Sequence, residues 1–274
     1  MALITFTSSF GSGGEKIARM LSEKLGIEFF DDSKLQQKAI SIGIPAKDLE
    51  GLDEKAPRLF DRLFTNRPAL YLDILGSVVY DIASGGQGVI VGHGAQVFLK
   101  DFNCALHVMV HASEKPRRER LVKSKGISDE AAEKLIRRMD KRLKEFVRHS
   151  FNRDWDDPSN YDLVINPDKV GVDRAVKLIA DLAGSDEVKA CSLKAVEEME
   201  FSSLQRKVDA AIIKNNLTSP FTNIVVEVTG KGKIHLAGWT FNEDELKLAV
   251  AVVKNVPGVA EVTSDIFIQT SADA

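Results

Sequence analysis

Gly11-Ser12-Gly13-Gly14, within TSSFGSGGEKIARML, is the part of this 274-residue chain best suited to chemistry. Glycines let the backbone approach a ligand closely, and a helix that follows them offers unpaired N–H groups and the positive end of its dipole. Such a turn holds an anion, and Ser12 adds a hydroxyl. The apolar run Leu3–Phe6 before it and the amphipathic pattern after it supply the strand and helix that a phosphate-binding loop requires. In a GxxxxGK[ST] loop a lysine bridges the terminal phosphates and the next hydroxyl residue holds magnesium. Here Gly14 stands at the lysine position and Glu15 at the hydroxyl position, and Lys16 is the nearest cation. Two readings stay open. Either the turn holds an anion through its amides with Lys16 reaching the ligand, or it is a ligand-free strand-to-helix turn with Lys16 in solvent.

A second concentration of chemistry lies between residues 114 and 153, with fourteen Lys/Arg against seven Asp/Glu. Its arginines cluster as Arg117, Arg118 and Arg120, then Arg137, Arg138 and Arg142, with Asp140 between the last two. Arg138 and Arg142 are four apart and share one face of a helix. A guanidinium fork matches phosphate oxygens two at a time, so the segment suits phosphate neutralisation. The competing reading is a pair of solvated helices laced with alternating charge. A nucleic-acid groove is not expected, because no aromatics are interleaved. His107 and His111 share strand parity, but four residues along a strand place them ~13 Å apart, too far to chelate one ion. No metal set is expected.

The elements that must carry these residues follow from apolar patterning. Leu3–Thr7, Gly88–Val91, Ala105–Val110 and Tyr161–Asn166 are short, densely apolar and bounded by turn signals, like strands buried on both faces. Helical patterns alternate with them over Glu15–Lys24, Ala46–Leu63, Pro68–Ala83, Glu114–Lys125, Ser128–His149 and Val172–Ala183. This order predicts a doubly wound α/β sheet over residues 1–184. Residues 185–203 are polar and read as a connector with a possible short helix. From Leu204 a second pattern begins and runs to about residue 270: a helix, two strands joined around Gly230-Lys231-Gly232, a helix opened by acids, and a closing strand, an α+β unit.

The strings FGSGGEKIARMLSEKLGIEFFDDSKL, VIVGHGAQVFL, LHVMVHASEKPRRERLVKSKGISDEAAEKLIRRMDKRLKEF and WDDPSNYDLVINPDKVGVDRAVKLI resemble the cytidylate kinase-like family, in order, over roughly the first 180 residues. The resemblance implies a P-loop NTPase-type fold with a helical lid, a nucleotide as ligand, and transfer of the ATP γ-phosphoryl group, with Mg²⁺, to CMP or dCMP. It implies that Gly11, Ser12, Gly13, Gly14 and Lys16 hold the donor phosphates and that Arg120, Arg138 and Arg142 close over the transferring group. Asp140 would orient those arginines or magnesium. Asp31 and His93 would face the acceptor, and Arg58, Arg62 and Arg67 could reach its phosphate. Asp31 and Asp32 equally suit a helix N-cap. Three positions depart from the family pattern: Ser8-Ser9 stand for Arg-Glu, His93 for the arginine of GRGA, and Phe146 for a tyrosine. The first two remove cations from the implied pocket, which leaves a second function open, a catalytically lapsed nucleotide sensor.

VEVTGKGKIHLAGWTFNEDELKLAVAVVKNVPGVAEVTSDI resembles a BON domain, with Gly238 and Gly258 where that family has glycines. It implies a binding or regulatory module for a protein or small-ligand partner. The formal charge of −3 gives no general pull toward nucleic acid or anionic lipid. MALITFTSS lacks the basic n-region and long apolar core of an export signal, and no run approaches ~18 apolar residues, so membrane contact is not expected. Cys104 and Cys191 are far apart without ligand spacing, which reads as a reduced, cytoplasmic protein.

Overall fold

The computed structural model describes residues 2–46, 68–186, 188, 190–217 and 223–269. The helix expected over 46–63 and Arg58, Arg62 and Arg67 fall almost wholly in 47–67, outside the described residues. In chain order the first elements are β1 (Leu3–Ser8), α1 (Gly14–Leu25), β2 (Phe29–Phe30), α2 (Asp32–Ser41), α3 (Pro68–Ala83), β3 (Gly88–Val91), α4 (Ala95–Phe98) and β4 (Ala105–Val110). Then come α5 (Glu114–Lys125), α6 (Asp129–Phe151), β5 (Leu163–Ile165), α7 (Pro167–Val170) and α8 (Val172–Ala183). The chain closes with α9 (Leu193–Lys214), β6 (Asn223–Gly230), β7 (Lys233–Thr240), α10 (Glu243–Lys254) and β8 (Glu261–Ile268). Two compact units result: Met1–Lys34 with Gly85–Ala195, and Leu35–Ser84 with Val196–Ala274.

The first unit is built on a five-stranded parallel sheet in the order β2-β3-β1-β4-β5. Every residue of β4 and the first five of β1 are buried, which is why those segments read as unbroken apolar runs. On α1, Ile17, Ala18 and Leu21 face the sheet, and on α8 Ala175, Val176, Ile179, Ala180 and Ala183 join the same core. The α1 helix stops at Gly26, whose left-handed φ of 65° satisfies the helix end without a Cβ penalty. Because β1 has β3 on one side and β4 on the other, the chain leaves the C-terminal end of β1 where strand order reverses. Open α/β sheets hold their ligands in that crevice.

Cys104 and Cys191 form a disulfide within this unit, with Cα atoms 4.9 Å apart. The expectation of unpaired thiols is therefore corrected. Eighty-seven residues separate them, and only the return of the chain after α8 brings them together.

The second unit contains a three-stranded sheet, β6-β7-β8, antiparallel in its first pair and parallel in its second. The hairpin turns at Gly232, φ 70°, between β6 and β7 as patterned. Leu204, Val208 and Ile212, four apart along α9, pack with Ala249 and Val253 of α10 over Val226, Ile234, Leu236 and Ile266 of the sheet. Residues 193–203, read from sequence as connector, are the first half of α9. The middle of α9 meets α3, where Ser203 Oγ donates to the Ser77 carbonyl at 2.8 Å and Arg206 binds Asp73 at 2.5 Å. A Cβ on Gly43, just past α2, would lie 2.5 Å from Pro257 Cγ, so the chain crosses there in close contact. No helix among the described residues is long and apolar enough to cross a membrane.

Candidate functional site

The loop 9–13 leaves the C-terminal end of β1 and enters α1. Gly11 and Gly13 take left-handed φ values of 80° and 91°, which a side chain would resist. Ser12 is buried, and its Oγ accepts the Gly14 N–H at 3.3 Å, which leaves the hydroxyl hydrogen to donate. The N–H groups of Gly13 and Lys16 find no acceptor among the described residues. These are the donors that an anion at a helix N-terminus would take. Glu15 turns to Arg19, 3.6 Å away and exposed, so the acid in the first turn is carried off the loop. Lys16 is exposed on the same turn.

Gly14 explains the missing lysine. A Cβ there would lie 2.7 Å from Ser8 Oγ and closer still to Ser8 Cβ, with Val110 Cβ 3.2 Å away. The start of α1 is seated on β1 and β4 so tightly that only a glycine fits. An anion at this loop would therefore have to be held by amides and by cations delivered by other elements.

Those cations come from α5. Arg117, almost fully buried, donates through Nη1 to the Phe10 carbonyl at 3.2 Å and to Asp140 Oδ2 at 2.6 Å. Asp140 Oδ1 in turn accepts the Phe10 N–H at 3.0 Å. One arginine and one aspartate thus clamp both polar groups of Phe10, the residue that opens the loop. Arg120, one turn along the same helix face, donates to the carbonyls of Gly11 (3.3 Å) and Ser12 (3.2 Å) and pairs with Asp168 at the start of α7. Its guanidinium lies against the loop. Ser9 fixes the other side, with its N–H on the Val110 carbonyl (3.1 Å) and its Oγ accepting from Ala112 N–H (3.3 Å).

The turn after β3 lies beside this loop, because Phe6 is in register with Val91 and the Gly92 N–H bonds the Phe6 carbonyl at 2.8 Å. Gly92, His93 and Gly94 all have positive φ, at 78°, 59° and 70°. A histidine held there is strained backbone, which points to a side chain that must be aimed. His93 is 1% exposed, and its Nε2 meets Asp32 Oδ1 at 2.8 Å. Gly94 is pressed against Phe151, 2.7 Å from a virtual Cβ to Cζ. Below the loop, Thr7 donates to Gln96 Oε1 at 3.1 Å. Tyr161 donates to the Trp155 carbonyl at 2.8 Å, and burial first of all raises the pKa of its phenol.

The sequence-derived residues fall into three groups. Gly11, Ser12, Gly13, Gly14, Lys16, Arg120 and Asp140 are brought together at the loop. Asp31 caps α2 instead, with Oδ1 accepting the Lys34 N–H at 3.1 Å and Oδ2 3.4 Å from Arg19. Its neighbour Asp32 is the partner of His93. Arg138 and Arg142 lie roughly 200° around α6 from Asp140, the first exposed and the second half-buried. Arg117 and Asp168 were missed as site residues. The three-residue spacing of Arg117 and Arg120 on one helix face was the available signal, whereas nothing in the sequence ties Asp168 to the loop.

A family model described as the cytidylate kinase-like family matches residues 3–169, well over half of the chain. The chain belongs to the cytidylate kinase-like family. A BON domain model matches residues 202–270. This family member is 28% identical over 165 residues to a cytidylate kinase of Methanothrix thermoacetophila, covering 60% of the chain and 87% of that protein. An uncharacterized protein from Eubacterium ventriosum shares the fold, with TM-score 0.53 and 23% identity over 66% of this chain and 97% of that one. The five-stranded parallel sheet with its α5–α6 hairpin is thus a kinase-like fold, and the α9–β8 region is the smaller α+β domain.

Proposed function

We propose that this protein binds ATP with Mg²⁺ at its Gly11–Gly14 P-loop and transfers the γ-phosphoryl group to a nucleoside monophosphate of the CMP or dCMP type. The functional modules would be residues 1–184 and 204–270, and the place of action the cytoplasm. The observation that carries this reading is the loop itself, two left-handed glycines and uncommitted helix N–H groups at the strand-order reversal, pinned by Arg117, Asp140 and Arg120. Phosphoryl transfer asks the protein for positioning and charge stabilisation, which such a cradle supplies. The amides of Gly13 and Lys16, the Ser12 hydroxyl and the Lys16 ammonium would hold the donor phosphates. Arg120 would neutralise the transferring group, and Arg138 and Arg142 would join it when the α5–α6 hairpin turns over the nucleotide. The carboxylates tied to the loop, Asp140 and Asp168, are engaged by Arg117 and Arg120, and Glu15 is turned to Arg19. Magnesium would therefore be held chiefly by phosphate oxygens and water, as that ion commonly is. Asp31 and His93 would border the acceptor.

A second reading, a catalytically lapsed nucleotide sensor whose BON domain binds a regulatory partner or ligand, is favoured by one observation. Both arginines at the loop already have carboxylate partners. Titration calorimetry with ATP and Mg²⁺, followed by ADP release across a panel of nucleoside monophosphates, separates the two. Turnover with cytidine monophosphates supports the kinase. Binding without turnover supports the sensor, and absence of binding refutes both.

A further inference from the structure

Two lysines share one carboxylate inside the second unit. Asp81 of α3 lies 2.7 Å from Lys38 Nζ of α2 and 3.6 Å from Lys207 Nζ of α9. Lys207 is the most enclosed of the three, with 14% of its side chain exposed. Among the described residues, two ammoniums against one carboxylate leave a net positive charge where water is scarce, and an uncompensated charge in such surroundings is costly. Burial lowers the Lys207 pKa, with Asp81 opposing and Lys38 reinforcing that shift. Asp73 of α3 and Asp209 of α9 do not cancel it. Asp73 and Asp209 surround Arg206, and Asp73 is eight residues from Asp81, roughly 12 Å along α3.

Lys207 also lines a cavity of about 430 Å³ within the same unit. Its walls are largely apolar: Ile42, Ile44 and Pro45 after α2, Ile74 of α3, and Val252 and Val256 at the end of α10. Lys214, two turns along α9 from Lys207, lines it as well. The volume lies within the range of small-molecule sites, which are typically apolar with a few placed polar groups. We infer that this cavity is a binding site for a small amphiphilic anion, whose apolar body fills the space between α2, α3, α9 and α10 and whose anionic head meets Lys207. Residues 42–77 of its lining belong to the kinase-family match and residues 207–257 to the BON match. One ligand would therefore touch both regions. The inference does not depend on phosphoryl transfer.

The test is titration calorimetry of the full chain, without nucleotide, against decanoate, decyl phosphate and the neutral analogue decanol. The two anions should bind at least tenfold more tightly than decanol, and whichever head binds more tightly identifies the ligand class. Lys207→Met should bring the anions down to the decanol level and leave decanol unchanged. Ala211→Trp, which fills the cavity from α9, should abolish binding of all three while the circular dichroism spectrum is retained. Equal binding of anions and decanol, or undiminished binding in Ala211→Trp, overturns the assignment even if Lys207→Met fails to fold. Binding to anionic lipid vesicles alone, with none to monomeric decanoate or decyl phosphate, overturns it too.

Discussion

Asp209→Asn should make the protein more stable at alkaline pH and flatten its pH dependence. Asp209 lies on α9 near Asp73 and Arg206. Burial first, and then the neighbouring Asp73 carboxylate, push its pKa up from 3.8 to about 7, against the pull of Arg206. Asp73 is itself raised, mainly by burial, although Arg206 binds it at 2.5 Å. A carboxyl whose folded-state value lies above its unfolded value favours the folded state fully below the unfolded value. That contribution is lost as pH climbs through the folded value. The window therefore runs from about pH 4 to just above 7. At 1.36 kcal/mol per unit the shift sets a ceiling of about 4 kcal/mol, and partial solvent access reduces it to about 2 kcal/mol. Urea denaturation of wild type and Asp209→Asn at pH 4.5 and pH 8 measures the difference directly. Wild type should lose about 2 kcal/mol relative to the variant over that interval. Asp73→Asn, which removes the repelling carboxylate and frees Arg206 to favour Asp209, should shrink the same difference. Parallel pH profiles for wild type and Asp209→Asn would refute the reasoning.

Gly14 has an ordinary helical φ, where alanine would normally stabilise, yet Gly14→Ala should cost about 1–3 kcal/mol because its Cβ overlaps Ser8. Adding Ser8→Gly should recover much of that loss in thermal melts; a neutral single variant would show that the seat of α1 is looser than described. Cys191→Ser should lower stability by about 2–5 kcal/mol under oxidising conditions, since the disulfide closes a long loop, and reductant should bring wild type to the same level. Equal oxidised stabilities of wild type and variant would sink that prediction.

What was legible in the sequence depended on how local its cause is. β1, β3 and β4 could be read because burial on both faces leaves an unbroken apolar run, and the Gly11–Gly14 loop because its backbone demands glycine. The left-handed turn at His93 was less visible, since histidine carries no signature of the φ it will adopt. The Phe10 clamp was half visible: Asp140 stood out among arginines, but which arginine it holds depends on how the α5–α6 hairpin folds back. The disulfide depends on chain return over 87 residues and left no trace in cysteine spacing.

The grouping of residues 35–84 with the C-terminal region was hidden for a more general reason. An amphipathic helix shows which face is apolar, but a charged face looks the same whether it meets water or another helix. Asp73, Asp81 and Lys38 read as ordinary surface charges until Arg206 and Lys207 are found opposite them. In this chain the helical segment inside the kinase-family match is tied by those charges to the region matched by the other family. A perturbation at α9 should therefore be felt first in α2 and α3. Hydrogen exchange on Arg206→Met checks this: amides of 68–83 should lose protection together with those of 196–214. Protection changes confined to α9 would mean that the charged contacts of α3 contribute nothing to holding it.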